Sequence, residues 1–271
     1  MRVPFVKMHG LGNDFVVLDG RAQAIPAIDS ALAAALADRH TGIGCDQLVL
    51  LYPSAVADFR MRIFNSDGSE VEACGNASRA IGVLHGAAAR IETLGGTIAV
   101  SPHDAGISVA MGVPAFEWDR IPLAYAMDTL TMPVAWEDLT DPIAVNVGNP
   151  HAIFFVPDCD AVELARLGPE IEHDPLFPER VNVNVATVTS RGAIRLRVWE
   201  RGAGLTLACG TGACATAVGA MRRNLVERRV EVVLPGGPLT IEWRDDGQVV
   251  MTGPATESFR GEFELDDYRT A

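Results

Sequence analysis

Cys74 and Cys209 are the residues whose type and setting point most directly to chemistry. Each stands in an Ala-Cys-Gly turn, Ala73-Cys74-Gly75-Asn76 and Ala208-Cys209-Gly210-Thr211, just ahead of a run rich in Ala, Gly, Ile and Val. Runs of that kind with few charges predict helices buried on most sides, from Asn76 to about Ala89 and from Thr211 to about Arg223. A helix start carries roughly half a positive charge and up to four unpaired N–H groups, so it favours a thiolate and can also receive a carboxylate. The glycine after each cysteine lets a ligand approach the backbone, and Asn76 or Thr211 adds a side-chain donor. Taken singly, each cysteine reads more readily as a small hydrophobe filling space between helix and sheet.

The pair reads differently, because the two cysteines belong to a repeat. Arg60-Met61-Arg62-Ile63-Phe64 aligns with Arg195-Leu196-Arg197-Val198-Trp199, and Ala73-Cys74-Gly75 with Ala208-Cys209-Gly210, both at an offset of 135 residues. Gln47 matches Asn182 at the same offset, Gly12-Asn13 matches Gly148-Asn149 one residue further, and Leu94-Gly95-Gly96 resembles Leu234, Gly236 and Gly237. Duplication is expected to set the two cysteines facing each other across a pseudo-two-fold cleft. Opposed thiols suit a two-base proton transfer, in which one removes a proton from a carbon stereocentre while the other supplies a proton from the opposite face. An isolated thiol titrates at about 8.5 and is tunable toward neutral pH. Inversion at carbon follows.

The elements that must hold the cysteines are mostly short strands. Arg60 to Phe64 and Arg195 to Trp199 alternate charged and apolar side chains, the period of a half-buried strand. Asn65-Ser66-Asp67-Gly68-Ser69 and Gly202-Ala203-Gly204 read as loops. The simplest α/β architecture for each half is a buried helix wrapped by strands. A separate Ala-rich helix, capped by Asp29 or Ser30 and running to about Arg39, reads as structural. Proline and acidic residues cluster from Pro114 to Pro142, which places the domain junction near their start. The expected domains are residues 1–115, carrying Cys74, and 116–257, carrying Cys209.

Composition narrows the function class. The 271 residues are 48% hydrophobic, 21% charged and 6% aromatic, so a folded chain rather than a disordered, collagenous or coiled-coil one is expected. A net charge of −13 repels phosphate backbones and anionic membranes, which argues against a nucleic-acid partner. No apolar run reaches the roughly 18 residues of a membrane helix, and MRVPFVKMHG has no signal-peptide core, so no membrane partner and a cytoplasmic location are expected. Five cysteines are too few for a disulfide framework, and Cys45, Cys159 and Cys214 read as structural thiols. Gly210-Thr211-Gly212-Ala213-Cys214-Ala215 lacks the acidic residue that completes a dinucleotide fingerprint. Cys209 and Cys214 lack a second ligand pair for zinc, and Gly42-Ile43-Gly44 lacks the ending of a phosphate loop. No metal and no nucleotide cofactor is indicated.

At these residues the chain resembles the cofactor-independent, two-cysteine amino-acid racemases, and among them the diaminopimelate epimerase family. The motifs run in order along essentially the whole chain: His9-Gly10-Leu11-Gly12-Asn13-Asp14-Phe15, Gly44-Cys45-Asp46-Gln47, Asn65 to Glu70 with Cys74-Gly75-Asn76, Gly148-Asn149-Pro150-His151, and Glu200-Arg201-Gly202 with Ala208 to Gly212. The resemblance implies interconversion of LL- and meso-2,6-diaminoheptanedioate, on the route to lysine and peptidoglycan, without pyridoxal phosphate or metal. It implies substrate-binding roles for Asn13, Gln47, Asn65, Gly75, Asn76, Asn149, Asn182, Glu200, Arg201, Gly210 and Thr211, and an influence of His151 and Glu200 on the thiols. It implies two similar α/β domains, each a strand-built barrel around a central helix, a C-terminal tail from about residue 258 returning to the first domain, and a homodimer.

Residue chemistry agrees with that resemblance. Both carboxylates of a diamino diacid need neutralising, and Arg201 can hold one bidentately while the helix starts receive the reacting one. Blander roles are also open: Asn13 and Asn149 as turn residues, His151 as a satisfied histidine at a strand start, and Glu200-Arg201 as a surface ion pair. Two departures from the family pattern are Ala77-Ser78-Arg79, where many relatives have Gly-Ala-Arg, and Cys45, where alanine is usual. The rivals are a proline or hydroxyproline racemase, which uses the same cysteine logic, and a silent binding protein or redox sensor on the same fold.

Overall fold

Alternating burial decides which helix each strand faces. In the strand Gln47–Tyr52, Leu48 and Leu50 join a cluster with Leu32, Ala33 and Leu36 of helix α1 (Ser30–Ala37), while Val49 and Leu51 are buried on the opposite face. Strands covered on both faces need apolar residues at consecutive positions, which is why Phe15 to Leu18 and Leu48 to Leu51 read as continuous hydrophobic runs.

The computed structural model describes residues 1–72 and 74–268, and it divides into two units: Met1–Val109 with the segment from Pro254 onward, and Ala110–Gly253. Both are mixed α/β, mostly sheet. In the first unit the hairpin of Arg2–Gly10 and Asn13–Asp19 turns through Leu11 (φ 57°) and Gly12 (φ 91°), the left-handed pair that matches hairpin twist. Asn13–Asp19 then pairs in parallel with Gln47–Tyr52, Phe15 beside Gln47, and Gln47–Tyr52 pairs antiparallel with Phe59–Asn65. Ala89–Thr93, Gly96–His103 and Gly106–Gly112 continue by hairpins. Thr256–Glu264 returns to pair antiparallel with the first strand.

The second unit repeats this order. Ile143–Asn146 turns into Pro150–Phe155, which pairs in parallel with Asn182–Ser190, His151 beside Asn182. Asn182–Ser190 pairs antiparallel with Ala193–Glu200, and Arg229–Leu234, Gly237–Trp243 and Val249–Gly253 follow.

Each unit has a helix at its centre. Helix α2 (Gly75–His85) packs against Arg2–Gly10, Gly96–His103 and Thr256–Glu264. After α3 (Leu164–Glu172), which covers the outer face of Asn182–Ser190, helix α4 (Gly210–Arg222) touches every long strand of its unit from Ile143–Asn146 to Val249–Gly253. Their Ala- and Gly-rich surfaces allow this close approach: a Cβ at Gly82 would lie 2.7 Å from Ile107 Cγ2. Both helices begin one residue earlier than expected, because the cysteine itself is the cap. Helix α2 stops at His85, short of the expected Ala89, because Gly86 takes the left-handed conformation (φ 77°) and its N–H closes onto Gly82 O. Helix α1 is capped by Asp29, whose carboxylate accepts from Leu32 N at 2.9 Å.

Candidate active site

In the first unit Cys74 is the N-cap of α2. Its backbone is extended (φ −144°, ψ 117°), so the thiol turns back over the helix start, where Sγ accepts from Ala77 N at 3.5 Å. The Cys74 side chain is half-buried, whereas Asn76 is buried. Asn76 Nδ2 donates to Asn13 Oδ1 at 3.1 Å, and Asn13 Nδ2 donates to Asp46 Oδ2 at 2.9 Å, so the Asn13 amide has a fixed orientation. Behind it lies a charged cluster: Arg39 Nη2 reaches Asp14 Oδ1 at 2.6 Å and Asp46 Oδ1 at 2.7 Å, and Lys7 closes on Asp14. Burial opposes ionisation of Asp14, but hydrogen bonds from Arg39, Lys7 and the Asp46 amide outweigh it and hold its pKa near about 2. Gln47 Nε2 donates to Asn65 Oδ1 at 3.1 Å and Asn65 Nδ2 to Ser69 Oγ at 3.1 Å. Gln47 Oε1 is buried with no partner among the described residues, an acceptor suited to an ammonium donor.

In the second unit Cys209 is the N-cap of α4, extended in the same way (φ −122°, ψ 106°). Its Sγ accepts from Gly212 N at 3.3 Å and lies 3.5 Å from Thr211 Oγ1. Burial pushes the Cys209 thiol well above the ordinary cysteine range and the Glu200 charge adds to this; Thr211 and the Gly212 N–H offset part of it. Glu200 ends its strand and accepts a short hydrogen bond from Thr206 Oγ1. Asn149 Nδ2 stands 3.3 Å from Thr211 Oγ1, and its Oδ1 stands 3.0 Å from His151 Nε2. His151 is fully buried, and burial lowers its pKa to about 4, with Arg201 acting in the same direction and Asn184 against it. The ring is neutral at pH 7.

Asn182 is buried, and its amide is committed to the backbone: Nδ2 donates to Pro150 O at 2.8 Å and Oδ1 accepts from Arg201 N at 2.9 Å. Arg201 extends outward, with Nη1 donating to Glu179 O at 3.0 Å. The turn that presents Arg201 is held by Glu172, whose two oxygens accept from Gly202 N at 3.0 Å and Trp199 Nε1 at 2.7 Å.

In the first unit the structure thus joins Asn13 and Asn76 next to Gly75 and Cys74 and links Gln47 to Asn65 in a separate pair, and in the second it joins Asn149, His151 and Thr211 to Cys209 beside Gly210, with Glu200 near that thiol and Asn182 holding Arg201. Sequence reasoning missed the supporting residues Lys7, Asp14, Arg39 and Asp46 in one unit and Glu172, Asn184, Thr206 and Thr216 in the other. Asn184 was within reach of it, because it lies two residues after Asn182 in a strand and so on the same face.

Two α/β units, each with a thiol capping its strand-wrapped helix, place the chain among the two-domain folds of the racemase and epimerase class. A PhzF-family phenazine biosynthesis protein from Enterococcus faecalis superposes with a TM-score of 0.71 at 15% identity, over 97% of this chain and 100% of that one. A hydroxyproline epimerase from Agrobacterium vitis, with bound trans-4-hydroxy-L-proline, gives 0.69 at 17% identity, over 97% of this chain and 91% of that one. At such identities the likeness is one of fold. Sequence carries it further: the diaminopimelate epimerase family model matches residues 5–117 and 143–257. The diaminopimelate epimerase of Erythrobacter litoralis is 65% identical over 268 residues, which is 99% of this chain and 100% of the relative. The chain belongs to the diaminopimelate epimerase family, a family of isomerases.

Proposed function

We propose that the protein interconverts LL- and meso-2,6-diaminoheptanedioate by two-base proton transfer at one α-carbon, with Cys74 and Cys209 as the catalytic pair and no pyridoxal phosphate or metal. The observation that carries this reading is the equivalence of the two thiols: each caps a buried helix and each accepts a backbone N–H of the first turn. In one direction the Cys74 thiolate takes the α-proton and the Cys209 thiol gives its proton to the opposite face. Cys74 ends as thiol and Cys209 as thiolate, ready for the reverse reaction. Burial shifts the Cys209 thiol upward, toward the protonated form that donates. As the α-proton leaves, charge moves onto the neighbouring carboxylate, and the N–H groups of a helix start are fixed dipoles suited to receive it.

Recognition of the rest of the substrate follows from the remaining donors and acceptors. Arg201 is a bidentate partner for a carboxylate, and Gln47 Oε1 is an open acceptor for an ammonium group. Asn13, Asn65, Asn76, Asn149 and Thr211 supply amide and hydroxyl contacts, Gly75 and Gly210 leave their backbone open, and Asn182 acts by holding Arg201. His151 and Glu200 tune the second half of the site. A cytoplasmic location and a homodimer belong to the same reading; light scattering tests the dimer, with a particle of twice the chain mass as the expected result and one of the single-chain mass against it. Among the described residues no helix is long and apolar enough to cross a membrane.

Proton NMR of LL-diaminopimelate with the reduced protein in D2O tests the proposal. The expected result is loss of the α-hydrogen with appearance of the meso isomer, abolished in Cys74→Ala and Cys209→Ala. Exchange with proline but not diaminopimelate, or full activity in either variant, overturns it.

A further inference from the structure

The two units differ beside their cysteines in a way the fold does not require. In the second unit three fully buried polar side chains form one hydrogen-bonded column: His151, Asn184 on the neighbouring strand, and Thr216 in α4. Asn184 Nδ2 donates to Gly212 O at 3.0 Å and to Thr216 Oγ1 at 2.9 Å, and Asn184 Oδ1 lies 3.2 Å from His151 Nδ1. The equivalent positions of the first unit follow from the matching strand registers, Phe15 beside Gln47 and His151 beside Asn182, and from the offset of the cysteines. They are Phe15, Val49 and Ile81, all fully buried and all apolar. The first unit thus serves as an internal control: the same strand order and helix close over an apolar column. Replacing satisfied buried partners by apolar groups of the same shape can be nearly neutral for stability, and the first unit closes over such an apolar column, so the fold does not require the polar one.

The column fixes a proton. Gly212 O is a carbonyl and can only accept, so the NH2 side of Asn184 must face it and the oxygen must face His151. An amide oxygen also only accepts, so His151 Nδ1 carries a hydrogen in the neutral and the charged ring alike. We propose that Asn184 is a positioning residue that makes Nε2 the titrating nitrogen of His151. Nε2 is the nitrogen 3.0 Å from Asn149, and Asn149 leads through Thr211 to Cys209 Sγ. In the neutral ring Nε2 is an acceptor, and a half-turn of the Asn149 amide gives it a donor while the Thr211 hydroxyl donates to the amide oxygen. In the charged ring Nε2–H donates to Asn149 Oδ1. The orientation of Asn149, a substrate-binding side chain in the reading above, is thereby tied to a single ring nitrogen. Without Asn184 the hydrogen is free to move to Nε2, and holding an imidazole in the wrong tautomer is costly to catalysis.

Two readouts test this, and only the second rests on the epimerase reading. The first is the ring nitrogen spectrum of 15N-histidine-labelled full-length protein at neutral pH, with His151 assigned by its loss in His151→Gln. The expected wild-type signature is a protonated Nδ1 and an unprotonated Nε2; Nδ1 stays protonated in Asn184→Asp, whose carboxylate still accepts from it and favours a proton on Nε2 as well, and the Nδ1 proton is lost or mixed in Asn184→Val, the residue of the sister half. The second readout is kinetic: Asn184→Val lowers kcat about tenfold or more with KM within about threefold, and Asn184→Asp recovers part of the loss. A wild-type His151 protonated at Nε2 alone, an Asn184→Val protein that keeps the Nδ1 proton, or an unchanged kcat in that variant each overturns the proposal. Should the wild-type protein fail to epimerise diaminopimelate, the functional reading falls and the nitrogen spectrum still decides the role of Asn184.

Discussion

Replacing Asp14 by Asn tests whether the charged cluster behind Asn13 supports the site or merely decorates it. The Asp14 side chain is 16% exposed, and its pKa is drawn from the ordinary 3.8 to about 2. Burial alone would raise it; the hydrogen bonds from Arg39, Lys7 and the Asp46 amide reverse the direction. A displacement of that size corresponds to about 2.5 kcal/mol, at about 1.4 kcal/mol per tenfold. Arg39 is 55% exposed, so water screens its share, and about 1 to 1.5 kcal/mol remains as the expected contribution. The folded pKa lies below the unfolded one. The stabilisation is therefore complete above the unfolded value, from about pH 5 upward, and is lost as pH falls through 3.8 toward about 2. Urea denaturation of wild type and Asp14→Asn between about pH 2 and 7 should give a gap of about 1 to 1.5 kcal/mol at neutral pH that shrinks by most of its size at the acid end. The variant should also raise KM, because Arg39 then holds only Asp46, the residue that orients Asn13. A gap that stays constant with pH, or none at neutral pH, would refute the reasoning.

Other expectations are simpler to check. Cys74→Ser and Cys209→Ser should keep at most residual proton exchange without net inversion, read by deuterium incorporation at the α-carbon. Glu200→Gln removes a charge that helps hold Cys209 protonated, so Cys209 should alkylate faster with iodoacetamide at fixed pH, read by peptide mass spectrometry; a slower reaction would contradict the assigned direction. Gly82→Val should lower stability by about 1 to 3 kcal/mol through overpacking, seen as a drop in Tm, because a Cβ there would meet Ile107 Cγ2 at 2.7 Å.

What the sequence made legible was local and repeated. Both cysteine turns and both central helices follow from short motifs whose physics is complete within a few residues, and the common offset linked them. The end of α2 was also written in the chain, at Gly86, but an Ala-rich run continuing past it masked the stop. The charged support of Asn13 was not legible, because Lys7, Asp14, Arg39 and Asp46 lie in separate segments; Asp14 and Asp46 stand in recognised motifs, but nothing local shows that Arg39 and Lys7 pair with them until folding brings the four together. Glu172 is the same case: it sits at the end of an amphipathic helix, and only the tertiary fold buries it against the Arg201 turn. Glu200 and Arg201 adjoin in sequence, yet Glu200 is bonded by Thr206 and Arg201 by Glu179 O, so adjacency said little about their partners.

A duplicated fold compares two versions of one scaffold, so a local difference that the shared strand order and central helix do not require calls for another cause. The strand order, the parallel pair beside each hairpin and the cysteine-capped helix are shared. Asn65 in one half stands where Glu200 stands in the other, and Phe15, Val49 and Ile81 where His151, Asn184 and Thr216 stand. Every one of these differences places charge or hydrogen-bonding capacity on the Cys209 side. A symmetric pair of thiols would suffice for a substrate whose two faces are alike. LL- and meso-diaminoheptanedioate differ only at the reacting carbon, so in the proposed reaction the distal end is gripped by one fixed arrangement while each thiol serves one of the two isomers. Unequal surroundings for the two thiols suit the proposed reaction, and the polar column of the second unit is one such inequality.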